Sequence, residues 1–384
     1  MWIVVVSIVV SVIVVAALDY RRALKDTGIG SSPRYKIRYP PVMRALRLPT
    51  RLLWHLLRWT VIAVVLQVLR RLFSCSQTEF LWWIQSKAKP VAVHAPLEDL
   101  SSKLECGDKQ LAEHLRRTLW VCCHGKSGTN LVLFITALIA WKGDWRGLLG
   151  GCPPTLHIHD RVPWPDGMPG YAVPVTDEEH ARSPLTGWKI IKTHAFLQQV
   201  PRGLRDSMLV TVIRDPKDVI VSMYHFFSSV LFGEAVPPLD FFVEYTLRGP
   251  PAFCWSQRIA ADWPRRHEPN TTVLIFEELV SDPSRAVALL ADRMCVTLST
   301  EQLQSIVQCS DFRWMKQSVE QQFSAGAFSP LAGSGTLLRS GRCTGGRGQL
   351  STQQRRRVDV EIMKQLEELQ CNFPYKLIYG SWDA

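Results

Sequence analysis

Between Leu119 and Leu131 the chain reads Leu-Trp-Val-Cys-Cys-His-Gly-Lys-Ser-Gly-Thr-Asn-Leu. An apolar run of strand length ends in a Gly-Lys-Ser-Gly-Thr loop. A second apolar run, Val132 to Ala140, follows at helical length. Strand, glycine-bracketed loop and helix in that order present backbone N–H groups and a helix N-terminus to an anion. Lys126 adds a positive point charge at the same place. The segment therefore predicts a cradle for a phosphate or sulfate group, with a plain strand-to-helix turn as the alternative. It is not a Walker A loop, which needs a glycine five residues before the Gly-Lys pair; Trp120 stands there.

The positive charge of the chain is unevenly placed. Of the formal net +11, residues 1–100 hold 14 Lys/Arg against 5 Asp/Glu, and residues 101–384 hold 31 against 29. The basic excess belongs to the N-terminal part, which argues against a nucleic-acid-binding surface and for contact with an anionic membrane face. Trp2 to Leu18 is almost wholly Val, Ile and Ala, just long enough to cross a bilayer as a helix. No basic residue precedes it, and Arg21, Arg22 and Lys25 follow. This order favours an uncleaved anchor with Arg21 onward in the cytosol. Arg34 to Pro49 reads as a basic linker. Leu52 to Phe73 reads as an interfacial amphipathic helix; a second span, or a helix packed on the main domain, are the alternatives. The expected organisation is thus an anchor over 1–20, a basic linker over 21–103 and a catalytic domain over 104–384.

The ten cysteines include no Cys-x-x-Cys pair, so neither a zinc site nor a redox motif is indicated. Reduced, buried thiols in a cytosol-facing domain are the expectation, while the sequon Asn270-Thr-Thr leaves the Golgi lumen open.

From Leu104 onward, strand-like and helical patterns alternate. Strands are expected at Leu119–Cys123, Trp188–Lys192, Met208–Ile213 and Thr272–Phe276. Helices are expected at Lys217–Phe227, Leu239–Arg248, Trp255–Arg266, Pro283–Met294 and Thr300–Gln308. Such alternation predicts an α/β fold with a central parallel sheet flanked by helices, whose ligands sit at the carboxyl ends of the strands. The long stretch Pro153 to Thr186 is of the length used for lids and substrate-binding loops. Phe241, Phe242, Trp141, Trp145, Trp164 and Trp255 are expected in the core rather than in an acceptor pocket.

Polar residues gather at the ends of three of these strands. Beside the Gly-Lys loop stands Lys192-Thr-His194, which a strand delivers with Lys192 and His194 on one side. The third group is Arg214-Asp-Pro-Lys-Asp-Val-Ile-Val-Ser222, where Pro216 starts a helix and Ser222 lies two turns beyond Arg214. Taken singly, His194 could be a satisfied strand-end histidine, Arg214 half of a loop ion pair and Ser222 an inward-facing helix residue. Together they describe one anion site.

These ordered motifs resemble those of the cytosolic-type sulfotransferases, which move a sulfuryl group from 3′-phosphoadenosine 5′-phosphosulfate (PAPS). The resemblance covers roughly residues 115–350. Lys126-Ser-Gly-Thr-Asn resembles that family's 5′-phosphosulfate loop, Lys192-Thr-His194 the segment of its catalytic base, and Arg214 to Phe226 its 3′-phosphate motif. Val273-Leu-Ile-Phe-Glu-Glu-Leu and Asp311-Phe-Arg-Trp-Met-Lys also match in order and spacing. Arg339-Ser340-Gly341 resembles its late phosphate-binding Arg-Lys-Gly. The resemblance implies His194 as general base, with Lys126 and Lys192 stabilising the leaving phosphate. It implies donor binding by Lys126, Ser127, Gly128, Thr129, Asn130, Arg214, Ser222, Phe276, Arg339, Ser340 and Gly341. PAPS would be the co-substrate, a hydroxyl or amine of a small or lipid-like molecule the acceptor, and no metal would be needed.

The chain also departs from the pattern. Leu131 stands where the family has an adenine-stacking aromatic, Phe276 where it has a base-contacting tyrosine, and Gly345-Gly-Arg-Gly348 where it has Gly-x-Trp-Lys. These differences motivate a rival reading, a catalytically impaired, membrane-tethered nucleotide-binding or scaffolding protein. A P-loop kinase is disfavoured by the missing first glycine and by the lack of a magnesium carboxylate after a strand.

Overall fold

A computed structural model describes residues 95–167, 175, 176, 182–201, 206–232, 236–249, 253–322, 336–339, 341 and 346–380. The apolar segments Trp2 to Leu18 and Leu52 to Phe73, with the linker between them, lie outside the described residues. Among the described residues no helix is long and apolar enough to cross a membrane.

Two short helices, α1 (Ala95–Glu105) and α2 (Lys109–Leu115), precede strand β1 (Thr118–Cys122). The Gly-Lys loop and the apolar helix α3 (Thr129–Ala140) follow, then α4 (Trp145–Leu149). After the long loop come β2 (Lys189–Thr193) and β3 (Met208–Ile213). Helix α5 (Pro216–Phe226) runs into a π-helical turn at Phe227–Phe232, and α6 (Leu239–Arg248) and α7 (Trp255–Asp262) lead to β4 (Thr271–Ile275). The remaining helices are α8 (Phe276–Ser281), α9 (Pro283–Arg293), α10 (Thr300–Ser310), α11 (Phe312–Ser318), α12 (Thr352–Glu368) and α13 (Tyr375–Tyr379).

The four strands pair in parallel in the order β2-β1-β3-β4. β1, β2 and β3 are buried along their whole length, as a parallel sheet covered on both faces requires. Alternate side chains feed different layers. Leu119, Val121, Ile190, Val210 and Val212 pack under α3, α9 and α10. Trp120, Cys122, Ile191 and Leu209 face α1 and α2. A third apolar layer gathers α5, α6, α7, α12 and α13 beyond Ile213. Helix α3 is apolar nearly all round and correspondingly enclosed.

Strand order reverses at β1: β2 lies on one side of it and β3 on the other. A crevice opens at such a reversal, outside the carboxyl ends of the strands. The expected elements occur here with small differences. β3 and α6 have the expected bounds, and α7 ends at Asp262 where a 3-10 turn, Trp263–His267, takes over at Pro264. Phe276 is not a strand residue: it opens α8. The thiols of Cys122 and Cys123 are buried and unpaired with one another.

One buried cation ties the strand ends together. Arg258 is 1% exposed and forms an ion pair with Asp262 one helical turn along α7. It also donates to the carbonyls of Cys122 and His194, closing the ends of β1 and β2 against α7. Asp262 accepts in addition from the Leu197 amide at 3.1 Å. Removing one member of such a pair leaves the other as an uncompensated buried charge. Arg258→Met is therefore expected to lower unfolding free energy by about 3–5 kcal/mol in a denaturant titration, with Arg258→Met/Asp262→Leu recovering part of the loss.

Candidate active site

All four strands hand a site residue to the same edge. β1 leads into His124 to Gly128, β2 into His194, β3 into Arg214 and β4 into Phe276.

The first loop is shaped by its backbone. Lys126 has φ +67° and Gly128 φ +102°, and Gly128 caps α3 with no side-chain hydrogen bond. The Ser127 amide donates back to the His124 carbonyl at 3.2 Å, while the first two amides of α3, those of Thr129 and Asn130, have no intrahelical acceptor. Ser127 is buried, and its hydroxyl has no hydrogen-bond partner among the described residues. A buried hydroxyl without a partner is uncommon in native structure and calls for an explanation, such as a ligand, water or ion that completes the bonding. Thr129 is buried beside the Cys123 thiol. A side chain on Gly128 would run into the Phe276 ring, with Cβ only 2.5 Å from Cδ2.

Arg214 and Phe276 close one side. Arg214 donates from Nη1 to the Lys126 carbonyl at 3.1 Å, and its guanidinium sits 4.4 Å from the Phe276 ring centre. Its own carbonyl accepts from Trp255 Nε1 at 2.9 Å. Asp215 does not serve merely as a loop partner for Arg214: it caps α5 through the Lys217 amide and pairs with the buried Lys217 at 3.3 Å. Lys217 in turn reaches Asp359 on α12. Lys126 lies 4.4 Å over the ring of Phe226 at the end of α5. Burial, with Arg214 adding to it, pushes the Lys126 ammonium down to about 8.

The other side is built from β2. His194 Nδ1 is 2.8 Å from the Cys123 carbonyl. A carbonyl only accepts, so Nδ1 carries the proton and Nε2 presents its lone pair. Its backbone amide donates to Asp166 Oδ2 at 3.1 Å, and Thr193 Oγ1 donates to the same oxygen at 2.7 Å. Burial and then the charge of Lys192 push His194 down to about 3, so the ring is neutral at neutral pH. Lys192, 4% exposed, lies 3.5 Å over the ring of Trp164 and 3.2 Å from His159 Nε2. Burial drives Lys192 down to about 7, and Lys126 pushes the same way against the pull of Asp166.

Most of the residues singled out from the sequence thus meet in one place: Lys126, Ser127, Gly128, Thr129, Asn130, Lys192, His194, Arg214 and Phe276. Ser222 lies half-buried on α5. Arg339 is exposed; its charge faces His225, three residues beyond Ser222, and its carbonyl accepts from Lys316. Gly341 has φ +63° and sits against the Phe312 ring. Ser340 lies outside the described residues. Gly346 docks on α5 through a 3.0 Å hydrogen bond from its amide to Asp218.

Four residues of this cluster went unrecognised in the sequence. Trp164, expected in the core, is buried, and its ring lies against Lys192 and 5.5 Å edge-on from His194. His159 and Asp166 arrive with it on the long loop, and Arg258 comes from α7. The only signal was the loop's length and its richness in His, Asp and Pro.

Comparison with known proteins agrees with this architecture. The family model described as "Sulfotransferase domain" matches residues 116–370. The chain therefore belongs to the sulfotransferase family, and it is an enzyme of that class. It is 27% identical to sulfotransferase 2A1 of Macaca fascicularis over 252 residues, 65% of this chain and 84% of that one. It is also 27% identical to the 3-beta-hydroxysteroid sulfotransferase of Cavia porcellus, over 50–70% of each chain (52% and 66%). Among solved structures, retinol dehydratase in complex with androsterone and inactive cofactor PAP matches with TM-score 0.55. It is 20% identical and covers 67% of this chain and 83% of that chain, a likeness of fold.

Gly128→Ala adds a methyl group into the Phe276 ring and forces a left-handed backbone on an alanine. It is expected to lower stability by about 1–3 kcal/mol in chemical denaturation.

Proposed function

We propose that this enzyme transfers the sulfuryl group of PAPS to a hydroxyl or amine of a small or amphiphilic acceptor. The observation that carries the reading is a pair of lysines, Lys126 and Lys192, set beside an uncapped helix start and the unpartnered hydroxyl of Ser127. That donor set fits a phosphosulfate: fixed amides, a hydroxyl and two cations in a dry pocket. PAP in the structural neighbours supports the same donor. When bound, PAPS supplies an activated sulfuryl group on a phosphate leaving group.

The residues then divide the work. The loop amides with Ser127, Thr129 and Asn130 orient the phosphosulfate end. Arg214 offers its fork to the 3′-phosphate, with Ser222 and the Arg339-Ser340-Gly341 segment contributing from α5 and beyond it. Lys126 and Lys192 offset the negative charge that grows on the leaving oxygen. His194 takes the acceptor proton at Nε2, held in the required tautomer by the Cys123 carbonyl. Trp164 excludes water from this corner. The steroid sulfotransferase relatives support an acceptor with an apolar body and one nucleophilic group.

His194→Ala and Lys126→Ala are each expected to lower turnover about 100-fold or more, measured with labelled donor across an acceptor panel. Wild-type turnover in both variants would remove their assigned roles. Binding of desulfated donor by the wild-type enzyme with no transfer to any acceptor would favour the catalytically impaired, scaffolding reading.

The apolar and basic character of residues 1–103 supports membrane attachment through that segment, with the catalytic part facing the cytosol. The full chain is expected to pellet with membranes at high salt; recovery of the full chain in the supernatant overturns this.

A further inference from the structure

His159 is the one imidazole in contact with both halves of the cluster among the described residues. Its ring is 3.2 Å from Lys192 Nζ on β2 and 3.1 Å from Asn130 Oδ1 at the start of α3, both measured from Nε2. The side chain is 5% exposed. It is aimed by a short 3-10 turn, Ile158–Asp160, that is tied down at several points. The His159 amide donates to His157 Nδ1 at 3.3 Å, the His157 amide donates to Asp160 at 2.9 Å, and Arg161 donates to the Leu148 carbonyl at 2.9 Å. These bonds fix the backbone that carries the ring.

Resting on the donor reading above, we propose that His159 is a positioning residue: it holds the Lys192 ammonium toward the leaving group and couples it to Asn130 of the phosphosulfate loop. An ammonium has three N–H groups and no lone pair, so in a buried site it needs acceptors. Asp166 acts on Lys192 by charge, and the hydrogen bonds it accepts come from Thr193 and the His194 amide. The Trp164 face attracts the cation without taking a hydrogen bond. The Nε2 lone pair of His159 supplies the acceptor. The same nitrogen, when it carries the proton, donates to Asn130 Oδ1 or to a neutral Lys192 amine and no longer accepts from an ammonium. The charge of Lys192 and the pose of Asn130 are thereby linked through one atom.

The other groups facing Lys192 do not supply this contact. Lys126 repels it, His194 is turned to the Cys123 carbonyl, the Cys123 thiol is held neutral by burial, which pushes it up to about 11, and His157 faces the His159 amide. A hydrogen bond to the ammonium favours the charged form, so it opposes the downward push of burial. The benefit of Lys192 to anion binding is fully present below its free-state value, about 7, and is lost as pH rises past it.

The test uses full-length protein and the desulfated donor, 3′-phosphoadenosine 5′-phosphate, titrated calorimetrically from pH 5.5 to 9. The ratio of wild-type affinity to that of Lys192→Met isolates the Lys192 contribution and cancels the titration of the ligand. That ratio is expected to break near pH 7. In a His159→Phe background the corresponding ratio, with and without Lys192→Met, is expected to break about one pH unit lower. His159→Gln, which keeps a polar atom at the Nε2 position, is expected to restore the wild-type break. Should His159→Phe fail to fold, His159→Asn carries the same expectation, because its amide reaches only as far as Nδ1. An unchanged break in the Phe or Asn background overturns the proposal and leaves the donor reading standing. Failure of the wild-type protein to bind the nucleotide sinks the donor reading and this proposal with it.

Discussion

Positive charge held away from water at the carboxyl edge of the sheet is the constraint from which the rest of the site follows. Lys192 is almost fully enclosed, and keeping it protonated in the absence of an anion costs on the order of 5 kcal/mol relative to water. Lys126 adds to that penalty by repulsion, and Arg214 in turn repels Lys126. A fold tolerates such an arrangement only where the function needs it. On the proposed function, a multiply charged donor offsets this repulsion.

Holding those charges in place falls to a layer of groups that touch no ligand. Arg258 and Asp262 clamp the exits of β1 and β2, and Asp166 fixes the turn at Thr193 and His194. Asp215, Lys217 and Asp359 lock the β3–α5 junction to the C-terminal helices. Each of these is an ion or hydrogen-bond network whose members are held by partners inside the protein.

The sheet was legible because its strands are short apolar runs, each followed by a glycine, proline or polar break. The residues at strand ends were legible because a parallel sheet puts all its carboxyl ends on one edge. What escaped was everything delivered by packing between distant segments. Nothing local distinguishes Arg258 from a surface arginine in an amphipathic helix; only the partners Asp262, Cys122 and His194 make it internal. Trp164, His159 and Asp166 sit in a loop without periodicity, and period is what pattern reading detects. Phe276 was placed at the end of a strand because the apolar run Val273 to Ile275 continues into it without a break, whereas it starts a helix.

The same burial that weakens the lysines also weakens the proposed base. His194 is pushed down to about 3 chiefly by burial and next by Lys192, so its Nε2 is a poor proton acceptor. An anion beside Lys192 cancels that second contribution and strengthens the base, while drawing the lysines toward their charged forms. On the proposed function, the base gains its strength only when the donor is in place. Proton removal from the acceptor is then tied to occupancy by donor through electrostatics alone, with no moving part. His159 extends this logic to the loop. A ligand that secures the charge on Lys192 also fixes which atom His159 offers to Asn130, so the two halves of the cradle respond together.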